Sequence, residues 1–262
     1  SILNRAFYGV PELTNSEGLH TNAVYGFLNI MFKILEEEKP DHLAVAFDLK
    51  EPTFRHKMYA DYKGTRKPMP EELREQVPLM KEVLAAKRCQ AEGIEVSVVS
   101  GDRDLLQLAD THIKIRIPKT SKGSTQIYDY YPEDVKREYQ VTPTEFVDVK
   151  ALMGDTSDNI PGVPSIGEKT ATNLIVAYGS IENAYAHLDE VKPPRAKKAL
   201  EEHYDLAVMS KELAEICITC PIPFEYEEAK IENLYTPEAY QYMKRLEFKS
   251  ILARFDVQDM GG

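Results

Sequence analysis

Two apolar runs in this sequence each end on aspartate. His42-Leu43-Ala44-Val45-Ala46-Phe47 delivers Asp48, and Ile94-Glu95-Val96-Ser97-Val98-Val99 delivers Gly101-Asp102-Arg103-Asp104. Short, nearly continuous apolar runs suit strands buried on both faces. An amphipathic helix precedes the first: Thr21-Asn22 opens it, Val24, Phe27, Leu28, Met31, Ile34 and Leu35 line one face, and Lys39-Pro40 closes it. Strands alternating with helices predict βαβ units, hence an α/β fold with a parallel sheet. Ligands bind such sheets beyond the carboxyl ends of the strands, where both acidic clusters fall.

The rest of the chain changes character. Residues 79–92 read as one helix running into the second strand, and 113–117 and 125–128 as short strands around the turn Thr120-Ser121-Lys122-Gly123. From Pro132 onward helices are expected at 132–139, 143–153, 167–178, 180–188, 194–208 and 237–247. The predicted organisation is an α/β core over 1–130, a helical region over 131–257 and a frayed tail or linker start over 258–262. No repeat or low-complexity stretch interrupts it.

Charge narrows the function. The 262 residues carry a net −11, which by itself argues against a polyanion partner, but residues 50–88 hold ten Lys/Arg against six acids. A basic stretch among acidic segments suits a chain that grips phosphates while its carboxylates hold divalent cations. A hydrophobic share of 43% with 29% charged residues indicates a folded globular chain. No run approaches a membrane span and no signal-peptide pattern opens the sequence, so no membrane partner is expected. Three cysteines cannot all pair, so the expected compartment is the reducing cytoplasm. The first residue is Ser rather than Met, as in a chain trimmed or incomplete at its start.

Asp102 and Asp104 stand two apart; Asp155 and Asp158 stand three apart in Leu-Met-Gly-Asp-Thr-Ser-Asp-Asn, on one side of a turn. With Asp48 they make five carboxylates whose mutual repulsion calls for a cation. An all-oxygen set suits Mg²⁺ or Mn²⁺, two or more ions of which can activate water and clamp the leaving oxygen of a phosphodiester. Gly162-Val163-Pro164-Ser165-Ile166-Gly167-Glu168-Lys169-Thr170 ends on a helix start with free N–H groups, a phosphate site that reads no bases. Phe54-Arg55-His56, Tyr59 and Asp61-Tyr62-Lys63-Gly64-Thr65-Arg66-Lys67 mix aromatics with bases, as a stacked and neutralised strand requires. The CxxC of Cys217 and Cys220 has only Cys89 as a third thiol, so strand alternation explains it better than zinc. Tyr240, Met243 and Leu246 stand at helical spacing and read as core contacts.

These motifs, with the Leu-Leu-Gln-Leu that follows Asp104 and the Asn-Ile-Pro-Gly-Val that follows Asp158, occur in one order. In that order the chain resembles the 5′-nuclease domain of bacterial DNA polymerase I, the 5′→3′ exonuclease and flap endonuclease family, from Ser1 to about Val257. The resemblance implies a PIN-like parallel-sheet core, a helical arch and a helix-hairpin-helix region. It implies metal ligands at Asp48, Asp102, Asp104, Asp155 and Asp158, and an arch with Arg55, Tyr62, Lys63, Arg66 and Lys67 that handles the single-stranded 5′ end. It also implies duplex contacts at Gly162, Gly167, Lys169 and Thr170, with K⁺ on the hairpin in some relatives, and substrate contacts at Arg5 and Phe7. The partner would be DNA with a 5′ end or flap at the nucleoid, with a polymerase domain following in the same chain.

Two departures from the family pattern bear on activity. The family's first strand, ending Asp-Gly-Asn, would precede Ser1, and a segment of about twenty residues with a Gly-x-Glu-Ala-Asp-Asp motif is missing where Leu84 runs into Lys87, one strand and three acids with it. The first reading is therefore a structure-directed nuclease whose Lys63 and Arg66 steady developing charge. The second is a DNA-binding module of the same fold that cuts poorly. A D-x-D phosphatase or sugar transferase is a third, which the duplex-gripping hairpin disfavours.

Overall fold

The computed structural model describes residues 2–45, 59, 93–121, 124–216, 218 and 225–255. Among them, helices α1 (Ile2–Gly9) and α2 (Asn22–Glu38) precede a three-stranded sheet. Strand β1 (Val96–Val99) pairs in parallel with β2 (Ile113–Ser121), which pairs antiparallel with β3 (Ser124–Tyr130). The sheet is thus mixed, and the hairpin of β2 and β3 is longer than its apolar pattern suggested, reaching Ser121 opposite Ser124. The β1–β2 crossover holds a single 3₁₀ turn (Arg103–Leu108), so the acidic residues after β1 sit at the sheet's carboxyl edge.

The helices after Pro132 are α3 (Pro132–Tyr139), α4 (Pro143–Met153), α5 (Glu168–Tyr178), α6 (Ile181–Ala186), α7 (Pro194–Glu202), α8 (Tyr204–Ala214), α9 (Pro237–Arg245) and α10 (Lys249–Leu252). Both α3 and α4 begin on Pro; α4 carries a capping box between Thr142 and Glu145, and in α3 Asp134 Oδ2 accepts the Tyr131 N–H (2.9 Å). The helix expected over 194–208 is two helices: the chain turns at His203, and Tyr204 then stacks on Tyr185 with ring centres 4.0 Å apart.

The expected strand at 42–47 is only partly described, and 42–45 join no sheet. A strand needs a hydrogen-bonding neighbour, and here Leu43 N–H donates to Ala229 O (2.8 Å) while Ile231 N–H donates to Asp41 O (2.8 Å). That leaves one isolated bridge, His42 to Lys230. The segment over 79–92, Cys217 and Cys220 lie outside the described residues. Ile216 packs on the core while Ile218 is exposed, whereas the expected strand alternation would put both on one face, so that expectation does not hold in the described residues.

One hydrophobic cluster joins the sheet to the helices, from Val98, Ile113 and Ile115 through Leu152, Ile175 and Leu200 to Ala207. A second closes the chain on itself: Val24 and Phe32 of α2 pack with Leu246, Phe248, Ile251 and Phe255, with Tyr240 and Met243 at its margin. Helix α2 is also pinned to the sheet by charge. The nearly buried Arg116 donates Nε to Asp129 Oδ1 (2.7 Å) and Nη2 to Glu37 Oε2 (2.8 Å), and Lys114 reaches Glu38 (2.7 Å).

Candidate functional site

Strand β1 ends at Val99, and the turn after Ser100 is organised by its own acids. Asp102 accepts the Asp104 N–H through Oδ1 (3.0 Å) and caps the 3₁₀ turn, which leaves Asp104 facing inward. The other two carboxylates come from the loop after α4. Gly154 ends that helix with φ 73°, and Asp155 and Ile160 exchange both backbone hydrogen bonds (3.0 and 2.8 Å), closing a compact loop. Asp155 Oδ1 accepts from Ser157 N–H (2.8 Å) and Ser157 Oγ (2.7 Å), while Asp158 is buried below it.

Asp104, Asp155 and Asp158 thereby converge, with ligand oxygens within 4.8 Å of one another. Lys150, near the end of α4, lies among them: its Nζ pairs with Asp104 Oδ1 and donates to Asp155 Oδ2 (2.7 Å). Burial pushes the Asp104 carboxyl above the usual range, Lys150 pulls the other way, and the neighbouring Asp102 and Asp158 carboxylates add to the rise. Burial also works to raise Asp155, but Lys150 and Ser157 more than offset it and hold the group at about 2. Lys150 in turn is lifted above its ordinary value, burial notwithstanding, by the two aspartates. Three crowded oxygen donors, one of them short of positive charge, are a donor set that fits a hard divalent cation.

The hairpin follows directly. Gly162 is buried with φ 64°, its N–H donating to Ser210 Oγ (2.9 Å), so its amide is committed inside the protein. Ser165 takes φ 70°, and its Oγ accepts from Arg195 Nη2 (3.4 Å). Gly167 is exposed and caps α5 in extended backbone, and nothing within 4 Å would meet a Cβ there. No contact inside the described chain requires glycine at that place. Lys169 is exposed and Thr170 half-buried on the first turn of α5.

The other expected residues fall into two groups. Arg5 and Phe7 are engaged internally: Arg5 donates to Pro118 O (2.7 Å) and Gly101 O (3.0 Å), and Phe7 packs beside Leu3 and Ala23. Asp48, Arg55, Tyr62, Lys63, Arg66 and Lys67 lie outside the described residues, while Tyr59 packs on Val147, Ile160, Leu213 and Ala214 beneath the acidic loop. Of the five expected carboxylates the structure thus gathers three, with Asp102 at the rim as a cap. Lys150 went unread in the sequence because a search for acid pairs passes over a base; its place one turn before Gly154-Asp155 was the available signal.

Residues 1–91 match the family model described as 5′-3′ exonuclease, N-terminal resolvase-like domain, and residues 141–236 match 5′-3′ exonuclease, C-terminal SAM fold. DNA polymerase I of Bacillus caldotenax is 43% identical over 277 residues, covering 98% of this chain and 31% of that protein. That of Bacillus subtilis (strain 168) is 42% identical over 275, covering 97% and 31%. The chain therefore spans about a third of these curated relatives. Because 277 aligned positions exceed the chain's 262 residues, at least 15 positions of the first relative have no counterpart here. Among solved structures, T5 5′-exonuclease with bound zinc superposes with a TM-score of 0.58 at 20% identity, covering 73% of this chain and 80% of that one. The catalytic core of Rad2 in complex with DNA substrate gives 0.56 at 12%, covering 97% and 89%. Both superpositions bear on the fold alone.

Proposed function

The chain belongs to the 5′-3′ exonuclease family, and from that premise we propose that it is a structure-directed 5′-nuclease, hydrolysing DNA phosphodiesters at 5′ ends and flaps in replication and repair. The observation that carries this reading is the convergence of Asp104, Asp155 and Asp158, followed in the chain by a helix start whose exposed Gly167 has nothing within 4 Å of a Cβ among the described residues. Asp104, Asp155 and Asp158, with Asp102 and Asp48, would hold two or more Mg²⁺ or Mn²⁺ ions. Bound there, divalent ions supply a lowered water pKa and a clamp for charge on the phosphoryl oxygens.

The protein's own part is to hold and orient. Lys169, Thr170 and the free amides of the α5 start bind duplex phosphates without reading sequence, and K⁺ at the hairpin would extend that grip. Arg55, Tyr62 and Lys67 lead the single-stranded 5′ end, Lys63 and Arg66 steady charge that develops on the phosphate, and Arg5 and Phe7 brace the floor beneath it. In the curated relatives the matching stretch is about a third of a DNA polymerase I, so the natural partner is a polymerase domain following in the same chain, at work in the cytoplasm on the nucleoid. Among the described residues no helix is long and apolar enough to cross a membrane.

A labelled 5′-flap duplex with Mg²⁺ or Mn²⁺ tests the reading. Cutting is expected in the wild type and should fall by at least about 100-fold in Asp155→Asn, the scale on which metal centres respond to lost ligand geometry. Binding of the flap without cutting by the wild type would leave only a DNA-binding module.

A further inference from the structure

Helix α8 touches both acidic segments from behind. Its Ser210 is fully buried, and the hydroxyl accepts the Gly162 N–H at 2.9 Å. One turn on, Leu213 and Ala214 pack with Ile160 and with Val147 of α4. At the helix end, Gln107 donates Nε2 to Ala214 O (3.0 Å) and accepts the Ile216 N–H through Oε1 (2.8 Å). Gln107 lies one turn past Asp104, and Gly162 lies four residues past Asp158 where the hairpin opens. A single helix therefore fastens the Asp104 turn, the Asp155–Asp158 loop and the hairpin.

The loop in between has little freedom of its own. A Cβ on Gly154 would stand 2.7 Å from Ile160 O, and one on Gly162 would stand 2.7 Å from the Gly154 Cα. With Asp155 and Ile160 bonded to each other in both directions, the loop moves as one body. A shift at Gly162 is then a shift of Asp155 and Asp158 relative to Asp104, which Gln107 holds from the other side.

We propose that Ser210 and Gln107 are positioning residues that fix the spacing between the gripped duplex and the carboxylate centre, and so select which phosphodiester is cut. The proposal rests on the nuclease reading above. Neither side chain faces the centre; each acts through the backbone it holds. Removing the Ser210 hydroxyl strands a buried N–H, and the loop must move to find it another partner. Successive phosphates along one duplex strand advance about 3.4 Å along the helix axis, so a displacement that is a fraction of that rise is enough to bring a neighbour into competition.

The test is a labelled 5′-flap duplex cut with Mg²⁺ or Mn²⁺, with products resolved to single nucleotides and kcat and KM measured separately. Wild type should give one principal product. Ser210→Ala should spread cutting onto adjacent phosphodiesters and lower kcat about tenfold while KM stays close to wild type, since small misplacements weigh on the chemical step. Gln107→Leu, similar in size and without either hydrogen bond, should spread the products likewise, and it decides the matter should Ser210→Ala fail to fold by circular dichroism. Lys169→Ala should raise KM and leave the product position alone. A single unshifted product from a folded Ser210→Ala or Gln107→Leu overturns the proposal and leaves the nuclease reading standing. A wild-type chain that cuts nothing overturns both.

Discussion

The carboxylate centre and the hairpin lie a few residues apart in sequence and are built on opposite electrostatic plans. At the centre, charge is buried and partly balanced: Lys150 pairs with Asp104 and Asp155 within the protein. At the hairpin, Gly167 and Lys169 are exposed, and no carboxylate stands within ion-pair distance of Lys169 among the described residues. The difference teaches what each region is prepared to exchange. A cation entering the centre must compete with an ammonium for the same oxygens, whereas a phosphate reaching the hairpin displaces only water. On the nuclease reading, specificity for the ion is then set inside the fold, while affinity for the polyanion stays open to salt.

Lys150→Met breaks this contrast most sharply. Without the ammonium, Asp104, Asp155 and Asp158 repel one another, and the metal-free chain should lose about 3 kcal/mol, the usual consequence of removing one partner from a buried pair. A divalent ion then meets no competitor, and its affinity should rise about tenfold. Calorimetric titration with Mn²⁺ and urea melts in chelator measure the two effects, and unchanged affinity would show that Lys150 does not occupy the cation's place. The pH response follows with a definite sign. Asp155, held at about 2 against an ordinary 3.8, contributes stability that is complete above 3.8 and is lost as pH falls towards 2. The stability deficit of metal-free Lys150→Met relative to wild type should therefore shrink as pH falls from 3.8 towards 2.

What the sequence made legible was local. Helices α3 and α4 begin and end where their patterns said, because Pro132, Pro143 and the Thr142–Glu145 capping box write the boundaries into adjacent residues. The aspartates after β1 were readable because an apolar strand must end somewhere and its carboxyl end is where ligands sit. Contacts across the chain were not legible in the same way. The apolar run at 42–47 says strand, but in the described part of it pairing is decided by residues 229–231, nearly two hundred positions away. Gly162 reads as a phosphate contact, and nothing local in the sequence says that its amide is bonded to Ser210 of α8. Arg5 reads as a substrate contact, and the sequence gives no sign that its guanidinium also donates to Pro118 O and Gly101 O. Donors carry no mark in sequence of the acceptor they will find.

A smaller effect sharpens the hairpin side. Lys169→Ala should weaken binding to blunt duplex DNA about equally for all sequences and reduce the salt slope by about one unit, the signature of one lost phosphate contact. Because none of the described residues leans on this side chain in the way the centre leans on Lys150, the melting temperature should stay within a degree or two of wild type. Fluorescence anisotropy at several salt concentrations measures the slope. An unchanged slope would take Lys169 out of the phosphate contacts and leave the Gly167 amides to carry them.

The smallest effect separates shape from charge within the hairpin itself. Ser165 holds φ at 70°, a region that disfavours L side chains by about 1–2 kcal/mol, and its one described side-chain contact is the long 3.4 Å bond from Arg195. Glycine occupies that region freely but adds entropy to the unfolded chain, which takes back part of the gain. Ser165→Gly should therefore stabilise the chain by about 0.5–1 kcal/mol in urea melts. Since the hairpin keeps its shape and Lys169 its charge, the salt slope for duplex binding should not change. A slope that moved with Ser165→Gly would mean that the Arg195 held by this hydroxyl also reaches the duplex, and that the exposed surface extends from the hairpin onto α7.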